Sequence, residues 1–181
     1  GSAFKPIIYA AALDKNYTAA SVIVDSPIIF EETAKDAGSK EIATEWKPRN
    51  FDEKFYGPTT FRQALTHSRN VVTIKILKDI GVNYAIEYAK RLGIQSPMNN
   101  DLSLALGSSS LSLLELTSAY STFANMGRRA EPIFITKITD KAGNVLEETP
   151  SPIIQDVLSP QTAFIMTNLL QGVIQDGTGQ R

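Results

Sequence analysis

The chain has 181 residues, 43% of them hydrophobic and 20% charged, the composition of a globular domain with a sizeable core. Eighteen basic residues face 19 acidic ones, for a formal net charge of −1 with no block of like charge; phosphate binding depends on clustered basic side chains, so nucleic acid is not an expected partner. There is no cysteine and a single histidine, His67, which removes disulfides and thiolate metal sites and leaves a histidine-based zinc site or a Ser-His-Asp triad nothing to spare.

In chain order, "FKPIIYAAALDKN" carries apolar residues on nearly every face and reads as a helix buried all round. Pro6 is tolerable only near a helix start, which puts Ser2 at or just before the first turn. "TAASVIVDSPIIF" suggests short extended pieces, and from about Glu31 to Tyr56 the chain reads as a polar loop containing Gly38, Trp46 and Pro48. "GPTTFRQALTHSRNVVTIKILKDIG" predicts two helices broken near Ser68, the first capped by Thr59 or Thr60 and the second stopped at Gly81. "VNYAIEYAKRLGI" predicts a further helix closed by Gly93, and "SPMNNDLSLALGSSS" a loop. In "SLLELTSAYSTFANMG" the helix core face is expected to be Leu113, Leu114, Leu116, Ala119, Tyr120 and Phe123. "PIFITKITDKAGNVLEE" reads as a hairpin turning at 142–144, and a last helix starts with Ser159 as cap and Pro160 in its first turn. The fold class expected is mainly α with one β-hairpin. No stretch approaches the roughly 20 apolar residues of a membrane span and no signal peptide opens the chain, so any anchor is expected outside it.

Two short patterns carry chemistry. Ser2 and Lys5 stand at i and i+3, on one face of a helix, where a desolvated neutral lysine amine takes the proton of a serine nucleophile. The plainer alternative is an N-cap serine beside a solvated lysine. Ser68 and Asn70 stand two apart at a helix–helix junction, where a hydroxyl and a carboxamide relay a proton and hold a substrate amide. The plainer alternative is local capping of the following helix.

Together, S-x-x-K followed by S-x-N matches two of the three elements of penicillin-recognising acyl transferases, the third being K-T-G. The chain resembles the transpeptidase domain of bifunctional class A penicillin-binding proteins. The likeness runs in order through "GSAFKPIIYAAAL", "NFDEKFYGPTTFRQALTHSRNV", "LALGSSSLSLLELTSAYSTFANMG", "EPIFITKITDKAGNVL" and "LLQGVIQDGTGQR". The resemblance implies that residues 1–181 are part of that domain, from the nucleophile helix to the segment before the K-T-G strand. The α+β parent fold would then lack most of its central sheet here.

By the same resemblance, Ser2 is the nucleophile that attacks the penultimate D-alanine carbonyl of a peptidoglycan stem peptide. Lys5 takes its proton, Ser68 passes a proton to the leaving amine, and Asn70 binds the substrate backbone. No cofactor or metal is implied. Implied partners are stem peptides, β-lactam antibiotics and a glycosyltransferase domain in the parent chain. The implied location is extracytoplasmic, on a membrane-anchored parent.

The departures are equally specific. There is no K-T-G, and Gly177-Thr178-Gly179 follows Asp176 rather than a lysine. Without that strand the piece is expected to be inactive alone and to form oligomers through exposed apolar surface. A class A β-lactamase would need an E-x-x-L-N loop, and none stands between Asn70 and Gly107. A D,D-carboxypeptidase, or a non-catalytic penicillin-binding or scaffold module, is the remaining alternative. His67, and the cleft candidates Trp46, Tyr56, Gly57 and Ser108 to Ser110, carry weaker expectations.

Overall fold

A computed structural model of the chain describes residues 1–35 and 41–180, with side chains outside 31–44. Gly38 lies outside the described residues. The architecture is built around the first helix. Ser2–Phe4 form a 3-10 turn that runs directly into α1 (Lys5–Leu13). Every residue of α1 from Lys5 to Ala12 is buried, as the all-round apolar pattern requires. It packs against α2 (Phe61–Thr66), α3 (Asn70–Ile80), α4 (Val82–Arg91) and α6 (Pro160–Gln175). Tyr9 stacks on Phe61 with ring centroids 4.5 Å apart, and full burial of Ile7 and Ile8 contributes roughly 1.5–3 kcal/mol each.

The helix boundaries obey local rules. Thr60 accepts the Gln63 N–H in a capping box that opens α2, and Ser159 with Pro160 opens α6. Gly81 ends α3 and begins α4. The segment expected as a loop contains a 3-10 turn, Leu102–Leu106, closed by Gly107 at φ 68. A Cβ at Gly107 would overlap the backbone of Gly1, so a glycine here lets the first turn lie against that loop. α5 (Leu113–Ala124) buries Ala119 and Phe123, but Leu113 is 81% exposed and Leu114 47%. The expected core face was too wide: it begins at Leu116 and leaves the first turn of α5 in solvent.

The expectation of a single hairpin is also corrected. Eight short strands occur among the described residues, in four two-stranded antiparallel sheets. β1 (Val22–Asp25) pairs with β4 (Gly57–Thr60), and β2 (Phe30–Lys35) with β3 (Glu41–Trp46), inside the segment read as a polar loop. β5 (Arg128–Ala130) pairs with β8 (Ile154–Asp156), and β6 (Lys137–Thr139) with β7 (Val145–Glu148), the expected hairpin. β1 with β4 and β5 with β8 meet across long intervening segments, a pairing that local periodicity does not encode. No helix of the described residues is long and apolar enough to cross a membrane.

Candidate active site

The break between α2 and α3 is a left-handed residue. Ser68 sits at φ 52, a region that costs a non-glycine side chain about 1–3 kcal/mol and persists where the surroundings impose it. The corner is held by main-chain bonds from Ser68 N–H to the Leu65 carbonyl, 3.0 Å, and from Arg69 N–H to the Ala64 carbonyl, 2.8 Å. Ser68 does not cap α3; Arg69 occupies the N-cap position without a side-chain bond to the helix. The Ser68 hydroxyl instead turns toward α1.

There it meets Lys5. The Lys5 Nζ donates to the Ser68 carbonyl at 2.7 Å, the Ser68 Oγ at 2.9 Å and the Asn70 Oδ1 at 2.7 Å. Three donors of one ammonium are thereby used by residues 63 and 65 positions away. Lys5 is 1% exposed, and burial brings its amine down from 10.5 to about 8.

Ser2 lies on the exposed 3-10 turn just before α1. The expected i, i+3 contact is not a hydrogen bond: among the described residues none joins Ser2 to Lys5. The reason is that the Lys5 amine is drawn to the Ser68–Asn70 corner. The two side chains nevertheless share a pocket of about 180 Å³, with Ser68 and Thr178 on its wall. Ser2, Ser68 and Asn70 also line an adjoining cleft of about 520 Å³. All four residues expected from the sequence therefore converge.

On the opposite rim Tyr56 and His67 were among the weaker expectations, while Asn50, Phe51, Asp52 and Arg69 were not foreseen. Arg69 stacks its guanidinium 3.3 Å from the Tyr56 ring centroid and pairs with Asp52 at 3.3 Å. Tyr56 donates to the same Asp52 carboxylate. Asn50 and Phe51 complete this side, and His67 stands at the rim. Of the weaker expectations, Tyr56 braces the cleft through Arg69. Trp46 packs on Phe30, and Ser108 and Ser109 bond to Ser103 and Asn99 within their own loop. Thr178 enters the cleft because Gly177 presses against Thr66: a Cβ at Gly177 would strike the Thr66 carbonyl, which accepts the Thr178 N–H at 3.2 Å. A hydroxyl beside a buried amine of lowered basicity, facing a second hydroxyl and a carboxamide in an open cleft, is equipped for acyl transfer through serine.

Comparison with known proteins places the chain among relatives. A family model for the penicillin binding protein transpeptidase domain matches residues 1–181. Penicillin-binding protein 1A of Neisseria gonorrhoeae is 39% identical over 186 residues, covering 99% of this chain and 22% of that protein. The chain thus spans about a fifth of the length of that relative. The crystal structure of penicillin-binding protein 1A from Haemophilus influenzae superposes with a TM-score of 0.85 at 30% identity, over 99% of this chain and 30% of that one. The imipenem acyl-enzyme complex of penicillin-binding protein A from M. tuberculosis has the same fold, with a TM-score of 0.76 at 21% identity over 96% of this chain and 43% of that one.

Proposed function

Because the chain belongs to the penicillin-binding protein transpeptidase family, we propose that it forms the helical part of a peptidoglycan D,D-transpeptidase acting through a serine acyl-enzyme. The observation that carries this reading is the convergence of Ser68 and Asn70 on the Lys5 amine, with Ser2 opening into the same pocket.

The steps follow from where the protons sit. Once Lys5 sheds a proton, its amine lone pair receives the Ser2 hydroxyl proton as Ser2 Oγ attacks the penultimate D-alanine carbonyl of a stem peptide. The carbon–nitrogen bond to the terminal D-alanine then breaks, and the leaving amine takes a proton relayed from Lys5 through Ser68, which touches it at 2.9 Å. The amine of a second stem peptide attacks the resulting ester, forming the cross-link and returning a proton to Ser2. A β-lactam acylates Ser2 in the same way, its ring amide standing in for the D-alanyl-D-alanine bond. Asn70, whose Oδ1 accepts from Lys5 and whose Nδ2 donates to the Arg49 carbonyl, would exchange these partners for a substrate backbone amide. Activity belongs to a longer, membrane-anchored extracytoplasmic protein with a glycosyltransferase domain.

Intact mass after incubation of the full-length protein with a penicillin, followed by peptide mapping, tests the assignment. One covalent adduct on Ser2 is expected, and none in Ser2→Ala. An adduct that persists in Ser2→Ala would sink it.

A further inference from the structure

Asn50 lies between β3 and β4 and is 4% exposed. Its carboxamide oxygen accepts the N–H of Asn70 at 2.9 Å and of Val71 at 3.3 Å, the first two residues of α3. Its nitrogen donates to Asp25 Oδ2 at 2.8 Å and to the Lys54 carbonyl at 2.8 Å. Both ends of the carboxamide are thus fully used. Asp25, at the end of β1, is itself 1% exposed. Beside Asn50, the Arg49 carbonyl accepts from Asn70 Nδ2 at 3.1 Å.

A helix start has orphan N–H groups that a neighbouring Ser, Thr, Asp or Asn usually satisfies. At α3 the local candidates are engaged elsewhere. The Ser68 hydroxyl is bonded to Lys5, and Arg69, at the N-cap, has no acceptor to offer. Asn50 supplies the cap from 20 residues away. Because it does, Ser68 and Asn70 are both free to present their side chains to Lys5. We propose that Asn50, anchored on Asp25, is a positioning residue that holds the Ser68–Asn70 corner in register with Lys5. The inference rests on the catalytic reading above.

Rapid-quench acylation of the full-length protein by a fluorescent penicillin separates the non-covalent binding constant from the acylation rate constant. In Asn50→Ala the rate constant is expected to fall on the order of 10²-fold, the effect of a displacement near 1 Å, while the binding constant stays within about twofold. Ser112→Ala removes a comparable cap from α5, away from the cleft, and is expected to acylate at the wild-type rate per folded molecule. Folded Asn50→Ala acylating at the wild-type rate would overturn the inference. So would an equal loss in Ser112→Ala, which would mark general loosening. Should Asn50→Ala not fold, Asn50→Asp keeps the capping oxygen but loses the donors to Asp25 and Lys54; a wild-type rate in that variant would overturn the anchoring. Absence of any adduct in the wild-type protein would remove the catalytic reading and this inference together, whereas an acylated wild type with an unaffected Asn50→Ala removes this inference alone.

Discussion

Lys5 shows how a single residue serves two demands that oppose each other. Burial disfavours its charge and brings it to about 8, while three acceptors within 2.9 Å fix its position. On the proposed mechanism the neutral amine is the base, so the penicillin acylation rate should climb with pH and level off near 8. Stopped-flow rates on either side of that value check this; a flat profile would remove Lys5 as the base. The same shift has a consequence for stability. The folded value is lowered below 10.5, so the unfolded chain binds more protons between about 8 and 10.5, and stability rises with pH across that window. In Lys5→Met that rise should disappear from urea-unfolding midpoints.

At the scale of elements, Glu115 joins two helices that the chain separates. Its carboxylate closes the capping box with Ser112 and also accepts the N–H groups of Gln95 and Ser96, at 2.9 and 2.8 Å, in the segment after α4. Hydrogen bonds from Ser96 and then Ser112 hold the carboxyl at about 2, against an ordinary 4.5. A depressed carboxyl contributes stability above its unfolded value and loses it as pH falls through the folded one. The melting temperature of wild type should therefore exceed that of Glu115→Gln at neutral pH, with the gap closing between about 4.5 and 2. A gap independent of pH would show that the charge is irrelevant. Half of this arrangement is legible in the sequence, since Ser112 and Glu115 form an S-x-x-E box. The other half, the reach to residues 95 and 96, is tertiary. The same division runs through the site. Ser2, Lys5, Ser68 and Asn70 stand in short local patterns, whereas Asn50 acts on α3 from 20 positions away, across β4 and α2, and has no local signature.

For the whole molecule, α1 buries every residue from Lys5 to Ala12 while the outer helices expose part of theirs. Phe164 and Ile174 on α6 are 65% and 63% exposed, and a pocket of about 410 Å³ lies between α5 and α6, walled by Tyr120, Phe123, Leu170 and Ile174. Exposed apolar surface of this kind promotes association. Residues 1–181 prepared alone are expected to gain mass with concentration in light scattering; a constant monomer mass would contradict this.

The sequence by itself determined what depends on neighbours three or four residues apart: the buried first helix, a threonine cap at 59 or 60, the cap at Ser159, the break near Ser68 and the two motifs with their family. Only the tertiary structure decided what depends on distant segments meeting. It paired β1 with β4 and β5 with β8, left Leu113 in solvent, and set Asn50 and Asp25 behind the corner. It also turned the Lys5 amine toward Ser68 and Asn70 rather than Ser2. Helix periodicity and capping are written within one or two turns of chain, while desolvation and long-range hydrogen bonding exist only once the chain has closed on itself.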